Sequence, residues 1–315
     1  MFRLISLITL VLSLNVALAA DRAIDVPMTA KRVGQHSYYI QGLSGAASSD
    51  NKGFMSNAGF VITREGVVVF DTLGSAPLAE KMLGLIRKLT QQPIKIVIIS
   101  HYHADHYYGA PVFKAEGAEI WAHRNAEGRT RTEEAALRLA QRQEVLFPWV
   151  DEKTQLLEAD KFLEGDTDFR LGGVHFTLRH VGPAHSAEDL ALLVKQDRVL
   201  YAGDLVFKGR VPFVGDADSK AWLASLDKLI ALKPRVLVPG HGATSTMPLK
   251  DLKLTRDYLS FVRAEMGKAV ENLTPFDEAY ASTDWSKYQN MPAFEEANRP
   301  NAYNTYLLME QENLN

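Results

Sequence analysis

The sequence predicts an α/β fold with two packed sheets and helices on their outer faces. Three observations carry this expectation. Strand patterns rich in β-branched and aromatic residues alternate with helical patterns along most of the chain. Residues 20–315 exceed the usual reach of a single core, yet no shift in composition divides them. The composition, 46% hydrophobic and 23% charged, is that of a chain able to bury a sizeable core.

The elements follow in order. His36 to Gln41 reads as a strand. Gly42 to Ser49, rich in Gly and Ser, reads as a flexible loop. Ala58 to Thr63 and Val67 to Phe70 form a hairpin about Arg64-Glu65-Gly66, and Asp71 closes its second strand. Pro77 opens a helical pattern through Leu78, Met82, Leu85, Ile86 and Leu89. Ile94-Lys95-Ile96-Val97-Ile98-Ile99, after the break at Pro93, reads as a fully buried strand. A helix near 107–116, a strand from Ala118 to Ala122 and a charged helix over about 125–146 come next. Strands are expected around Phe169–Leu171, Val174–His180, Asp189–Val194 and Arg198–Ala202. Trp222 to Leu232 is helical in pattern, and Arg235 to Val238 is a buried strand. Helical patterns over Leu249–Val270 and about Phe294–Gln311 end the chain.

Composition also excludes functions. A formal charge of −3 leaves no basic footprint, so nucleic acid is not an expected partner. The chain has no Cys, which removes disulfides, thiolate metal sites and Cys nucleophiles. Any metal would be held by the nine His and by carboxylates. At the N-terminus, Arg3 precedes an apolar run from Leu4 to Val16, and Ala17-Leu18-Ala19 offers small residues flanking a cleavage point. This reads as a signal peptide over residues 1–19, leaving a single domain over 20–315. The expectation is a periplasmic or secreted protein, without stable membrane insertion after cleavage, acting on a small-molecule substrate. The oligomeric state is left open.

The chemistry is concentrated directly after the buried strand. Ser100-His101-Tyr102-His103-Ala104-Asp105-His106 places three imidazoles and a carboxylate within six residues, at the strand end where α/β proteins carry functional loops. Such a group is costly to bury unpaired, and its donors are those of a thiol-free zinc site. Three later strand ends repeat the pattern: Gly182-Pro183-Ala184-His185, Tyr201-Ala202-Gly203-Asp204 and Val238-Pro239-Gly240-His241-Gly242.

His101-x-His103-x-Asp105-His106 followed by His185, Asp204 and His241 resembles the ligand set of the metallo-β-lactamase superfamily, from about Asn57 to His241. The resemblance implies an αββα four-layer sandwich, here with additional C-terminal helices. It implies that His101, His103 and His185 hold one metal, that Asp105, His106 and His241 hold a second, and that Asp204 bridges them. It implies two zinc ions, with iron or manganese as alternatives. The implied reaction is hydrolysis, in which a metal-bridging hydroxide attacks a carbonyl of an ester, thioester, lactone or amide. Asp105 would orient that hydroxide and take its proton. Asp71 is a candidate to support a ligand histidine, or alternatively a structural loop anchor.

Asp204 stands where the founding lactamases carry Cys, which points away from them. β-Lactam hydrolysis remains an alternative as a main or side activity, and a mononuclear iron sulfur dioxygenase is another. Ser56 to Phe60, Val67 to Asp71, Ser100 to His106, Gly182 to Asp189 and Asn301 to Tyr306 resemble exported quinoprotein relay system zinc metallohydrolases and Sox-linked sequences. His180 is expected to be structural. Tyr102 and Tyr107 are expected to pack. Lys208 and Arg210 could meet a substrate carboxylate or lie on a solvated loop, and the arginines of 125–146 are expected on a solvated face.

Overall fold

The computed structural model describes residues 24–215 and 217–314. The expected signal peptide lies outside the described residues.

The first sheet runs in chain order: β1 (Ala30–Arg32), β2 (Ser37–Ile40), β3 (Ala58–Ile62), β4 (Val67–Phe70), β5 (Ile94–Ile98), β6 (Glu119–His123) and β7 (Lys161–Leu163). Its first four strands are antiparallel; β4 through β7 are parallel. Parallel neighbours need crossovers. Helix α1 (Ala76–Leu89) lies between β4 and β5, and α2 (Ala104–Tyr107) and α3 (Ala110–Ala115) lie between β5 and β6. Helix α4 (Glu133–Leu146) lies between β6 and β7. The second sheet holds β8 (Thr167–Leu171), β9 (Val174–His180), β10 (Leu190–Val194), β11 (Val199–Tyr201) and β12 (Val236–Val238), antiparallel except for the β11–β12 pair. Helices α5 (Ser219–Ala231), α6 (Pro248–Glu271), α7 (Phe276–Ser282) and α8 (Phe294–Leu314) complete the chain.

Strand alternation builds the layers. In β4, Val68 and Phe70 face the second sheet, while Val67 and Val69 join Leu78, Met82 and Ile86 of α1. In β10, Leu190, Leu192 and Val194 face inward, while Ala191 and Leu193 meet the helices outside, including Trp222 of α5 and Leu259 of α6. Burying each such large apolar side chain contributes about 1.5–3 kcal/mol. Tyr201 ties the layers together: its hydroxyl donates across the seam to the Tyr38 carbonyl at 2.9 Å. The result is the expected helix–sheet–sheet–helix sandwich with extra C-terminal helices.

Some boundaries differ from the sequence reading. The helix expected over 125–146 begins at Glu133. Gly128 takes a left-handed φ of 80° between two 3-10 turns, and the Thr132 side chain then caps the helix by accepting from Ala135 N–H. The helix expected near 107–116 is split in two, because Pro111 has no N–H to extend the first piece and instead opens α3. Strands β1 and β7 and helix α7 went unread. The strands have three residues each, too few for a period to emerge.

Candidate metal centre

The seven residues singled out in the sequence come together at one end of the sandwich. His101 and His103 follow β5, and Asp105 and His106 lie in α2. His185 sits on the β9–β10 loop, Asp204 just after β11, and His241 just after β12. They form two groups, His101–His103–His185–Asp204 and Asp105–His106–His241, with the ligand-type atoms of each group within 4.8 Å of one another.

Asp204 lies between the groups. Its Oδ2 is 3.4 Å from His185 Nε2 and 3.9 Å from His101 Nε2. Its Oδ1 is 3.1 Å from His106 Nε2 and 3.3 Å from His241 Nε2. In the first group, His103 Nδ1 is 3.0 Å from His101 Nε2 and 2.9 Å from His185 Nε2. In the second, Asp105 Oδ2 is 3.4 Å from both His106 Nε2 and His241 Nε2. Gly240 permits this closeness, since a Cβ there would fall 2.0 Å from Asp204 Oδ1.

Four of the five imidazoles are fixed from behind. His106 Nδ1 donates to Asp71 Oδ2 at 2.9 Å. His101 Nδ1 meets Ser100 Oγ at 2.9 Å, and that hydroxyl donates to Asp71 Oδ2 at 2.8 Å. His185 Nδ1 donates to the Phe213 carbonyl at 3.1 Å, and His241 Nδ1 to the Met55 carbonyl at 2.9 Å. Each bond leaves Nε2 unprotonated toward the centre when the ring is neutral, the arrangement a metal requires. Asp71 therefore serves both roles considered for it, because its Oδ1 also accepts from Ser100 N–H at 2.7 Å and anchors the ligand loop. It does so from a left-handed backbone, φ 61°, a conformation a non-glycine residue keeps only when its surroundings impose it.

The electrostatics match a cation site. Burial, with help from neighbouring imidazoles, holds His101 and His103 well below the ordinary imidazole range. Burial works against ionisation of Asp204 and Asp105, but His106 and His241 outweigh it and hold both carboxyls well below the usual range. The same carboxylates overcome burial at His241 and raise it to about 9. Asp105 Oδ2, His106 Nε2 and Asp204 Oδ1 are buried without a hydrogen-bond partner. Orphaned donors and acceptors of this kind, converging on one point, fit metal ions.

Residues 51–241 match the profile of the metallo-beta-lactamase superfamily. The chain belongs to this superfamily. Metallo-beta-lactamase relatives include IND-1 of Chryseobacterium indologenes, 22% identical over 65% of this chain and 77% of that protein. The linear primary-alkylsulfatase of Pseudomonas sp. is 25% identical over 67% of this chain. The chain spans about half the length of that alkylsulfatase, 47%. Among solved structures, a metallo-beta-lactamase from Pontibacter korlensis aligns at TM-score 0.60 and 20% identity, over 74% of this chain and 99% of the other. An inverting sec-alkylsulfatase from Pseudomonas sp. aligns at TM-score 0.73 and 18% identity, over 89% of this chain and 50% of the other. These relatives are named as metallo-beta-lactamases and alkylsulfatases.

A cleft of about 280 Å³ opens beside His241, lined among others by Leu43, Arg210, Phe213, Pro292 and Glu296. Arg210 is buried against Phe207 and Phe213, and no carboxylate among the described residues pairs with it. Lys208 also lines the cleft, with its ammonium donating to the Thr244 carbonyl at 2.8 Å. Tyr102 and Tyr107 are buried and pack on each other. His180 stacks on His123 with ring centroids 3.4 Å apart, away from the two groups. The arginines of 124–138 pair with Glu127, Glu134, Glu158 and Glu164, and Arg129 departs from the expected solvated face by also reaching the buried Glu188 at 3.7 Å. Sequence reasoning missed the parts contributed by backbone, the carbonyls of Met55 and Phe213. It also missed the cleft wall formed by the Gly42–Ala46 loop and residues 292–296. A carbonyl leaves no mark in the residue type, and these walls belong to none of the stretches that carry the metal ligands.

Proposed function

We propose that the protein is an exported dimetal hydrolase that cleaves an ester, thioester, lactone or amide carrying an anionic group. The observation that carries this reading is the split of Asp204, one oxygen toward each imidazole group, which suits a carboxylate bridging two ions. His101, His103 and His185 would hold one ion, and Asp105, His106 and His241 the other. Zinc suits this donor set, and the carboxylates also admit iron or manganese. When bound, such ions lower the pKa of water and polarise the bond to be broken. Asp105, at the edge of the second group, would orient the attacking water, take its proton and return it to the leaving group. Arg210 receives the anionic group in the cleft, where it forms no close ion pair among the described residues, although Glu296 lines the same wall. The resemblance to quinoprotein relay system and Sox-linked metallohydrolases and the reading of Met1–Ala19 as a signal peptide support export.

A sulfate ester is the second reading, favoured by the match to the linear primary-alkylsulfatase and by the unpaired Arg210. β-Lactam hydrolysis is a third, given the lactamase relatives. The test combines metal analysis of purified protein with a panel of thioesters, lactones, sulfate esters and β-lactams. Two ions per chain and hydrolysis that disappears in a folded His103→Ala variant are expected. A folded variant that retains activity, or one iron per chain with oxygen consumption on a persulfide, would overturn the reading.

A further inference from the structure

The superfamily match ends at His241, yet the last helix reaches back to the centre. Residues 211–215 form a segment held almost wholly by α8 and the turn leading into it. Asn301, fully buried in α8, uses all of its amide. Its Oδ1 accepts from Val214 N–H at 2.9 Å, and its Nδ2 donates to the Pro212 carbonyl at 2.7 Å and to the Tyr258 hydroxyl at 2.9 Å. Val211 N–H donates to the Pro292 carbonyl at 3.0 Å, and Asn304 Nδ2 donates to the Gly215 carbonyl at 2.8 Å.

Between Pro212 and Val214 lies Phe213, whose carbonyl accepts from Nδ1 of His185. The Asn301 amide clamps the residues on both sides of that carbonyl, leaving it little freedom to turn. The bonds form a short chain: Asn301 to Pro212 and Val214, the Phe213 carbonyl to His185 Nδ1, and His185 Nε2 to the group it shares with His103 and Asp204. Among the described residues, no comparable hydrogen-bonded link from α8 reaches His106, which rests on Asp71, or His241, which rests on Met55.

We infer that Asn301 is a positioning residue for His185, acting through the Phe213 carbonyl, and that the C-terminal helix thereby sets the affinity of one metal position and not the other. This rests on the dimetal reading above. It assigns α8 a part in the site beyond packing on α6 and α7. A polar group that orients a ligand histidine is worth about 10–100-fold in metal affinity; one bond further away, the lower end of that range is expected.

The test loads wild-type and variant protein with ¹¹³Cd²⁺ and follows each resonance during competition with a chelator. The two positions differ in donors, three nitrogens in the His185 group against two in the other, so their signals separate. Asn301→Ala should lose about 10-fold in affinity at the three-nitrogen position and leave the other unchanged. The control is Tyr306→Phe, which removes a different anchor of α8, the hydroxyl that donates to the Thr274 carbonyl, without touching 211–215. It should leave both positions unchanged whatever it does to stability. Should Asn301→Ala fail to fold, Tyr258→Phe removes the hydroxyl that accepts from the Asn301 amide and donates to Asn298 Oδ1 at 2.9 Å, and a loss of a few fold at the same metal position alone supports the inference. Equal affinities in the folded variant and wild type, or a loss shared by both positions and by Tyr306→Phe, overturn it. Wild-type protein that binds no cadmium at these histidines would overturn the dimetal reading itself, an outcome separable from the others.

Discussion

Asp71 Oδ2 accepts from His106 Nδ1 at 2.9 Å and also from the Ser100 hydroxyl that carries His101. One carboxylate outside the centre thus orients a histidine of each group. Asp71→Asn keeps the shape but removes the charge and turns one oxygen into a donor. Both metal positions should weaken, by about 10–100-fold. Chelator competition measures this, and unchanged affinity at both positions would show that Asp71 serves only to anchor the loop.

Gly240 faces Asp204 with no room for a side chain. Gly240→Ala should displace the Asp204 carboxylate while the sandwich remains folded. A misplacement of 1 Å costs about 100-fold in rate, so activity should fall at least that far with little change in far-UV circular dichroism. Activity close to wild type would mean that the loop yields without cost.

The unpaired guanidinium of Arg210 predicts a substrate-dependent effect. Arg210→Met should raise KM for an anionic substrate by about 10–100-fold, the worth of a hydrogen bond to a charged group, and leave a neutral substrate of the same length unaffected. The variant should be at least as stable as wild type, since burial of the guanidinium outweighs the attraction of Asp204, Glu296 and Asp105, and its removal relieves that desolvation. Steady-state kinetics on matched ester pairs and urea midpoints decide both points.

His123 stacks on His180, and burial together with that neighbour pushes its imidazole down to about 4. Its Nδ1 accepts from Asn125 N–H, which favours the neutral ring. A folded pKa below the unfolded value of about 6.5 makes the unfolded chain the better proton acceptor. The contribution is therefore complete above pH 6.5 and is lost as the pH falls from there toward 4. His123→Phe keeps an aromatic face against His180 but cannot titrate. Its urea midpoint should decline less than that of wild type over this interval, and parallel declines would refute the assignment.

Much of this molecule is legible in the residues, for identifiable reasons. Val67 to Phe70 is a fully buried strand and Ile94 to Ile98 is buried except at Lys95, which is exposed; such apolar runs stand out without any partner in view. The motif at His101–His106 is dense because a strand end delivers four donors at once. His185, Asp204 and His241 are single residues, weak alone and persuasive only in that company. What stayed hidden depends on tertiary packing. The Gly42–Ser49 stretch reads as a flexible loop, and nothing local says that its first half walls the cleft. Asn301 opens one of the stretches that carry the resemblance, yet nothing local shows that it holds Pro212 and Val214.

The centre lies across the seam between the sheets. His101, His103, Asp105 and His106 extend from the first sheet, and His185, Asp204 and His241 from the second, with both represented in each group. Bound ions would act as rivets through the two halves. Prising the halves apart would then require the rivets to come out first, so the lifetime of the folded chain under protease attack would follow the rate of metal release, and a chelator would shorten it without any change in the core.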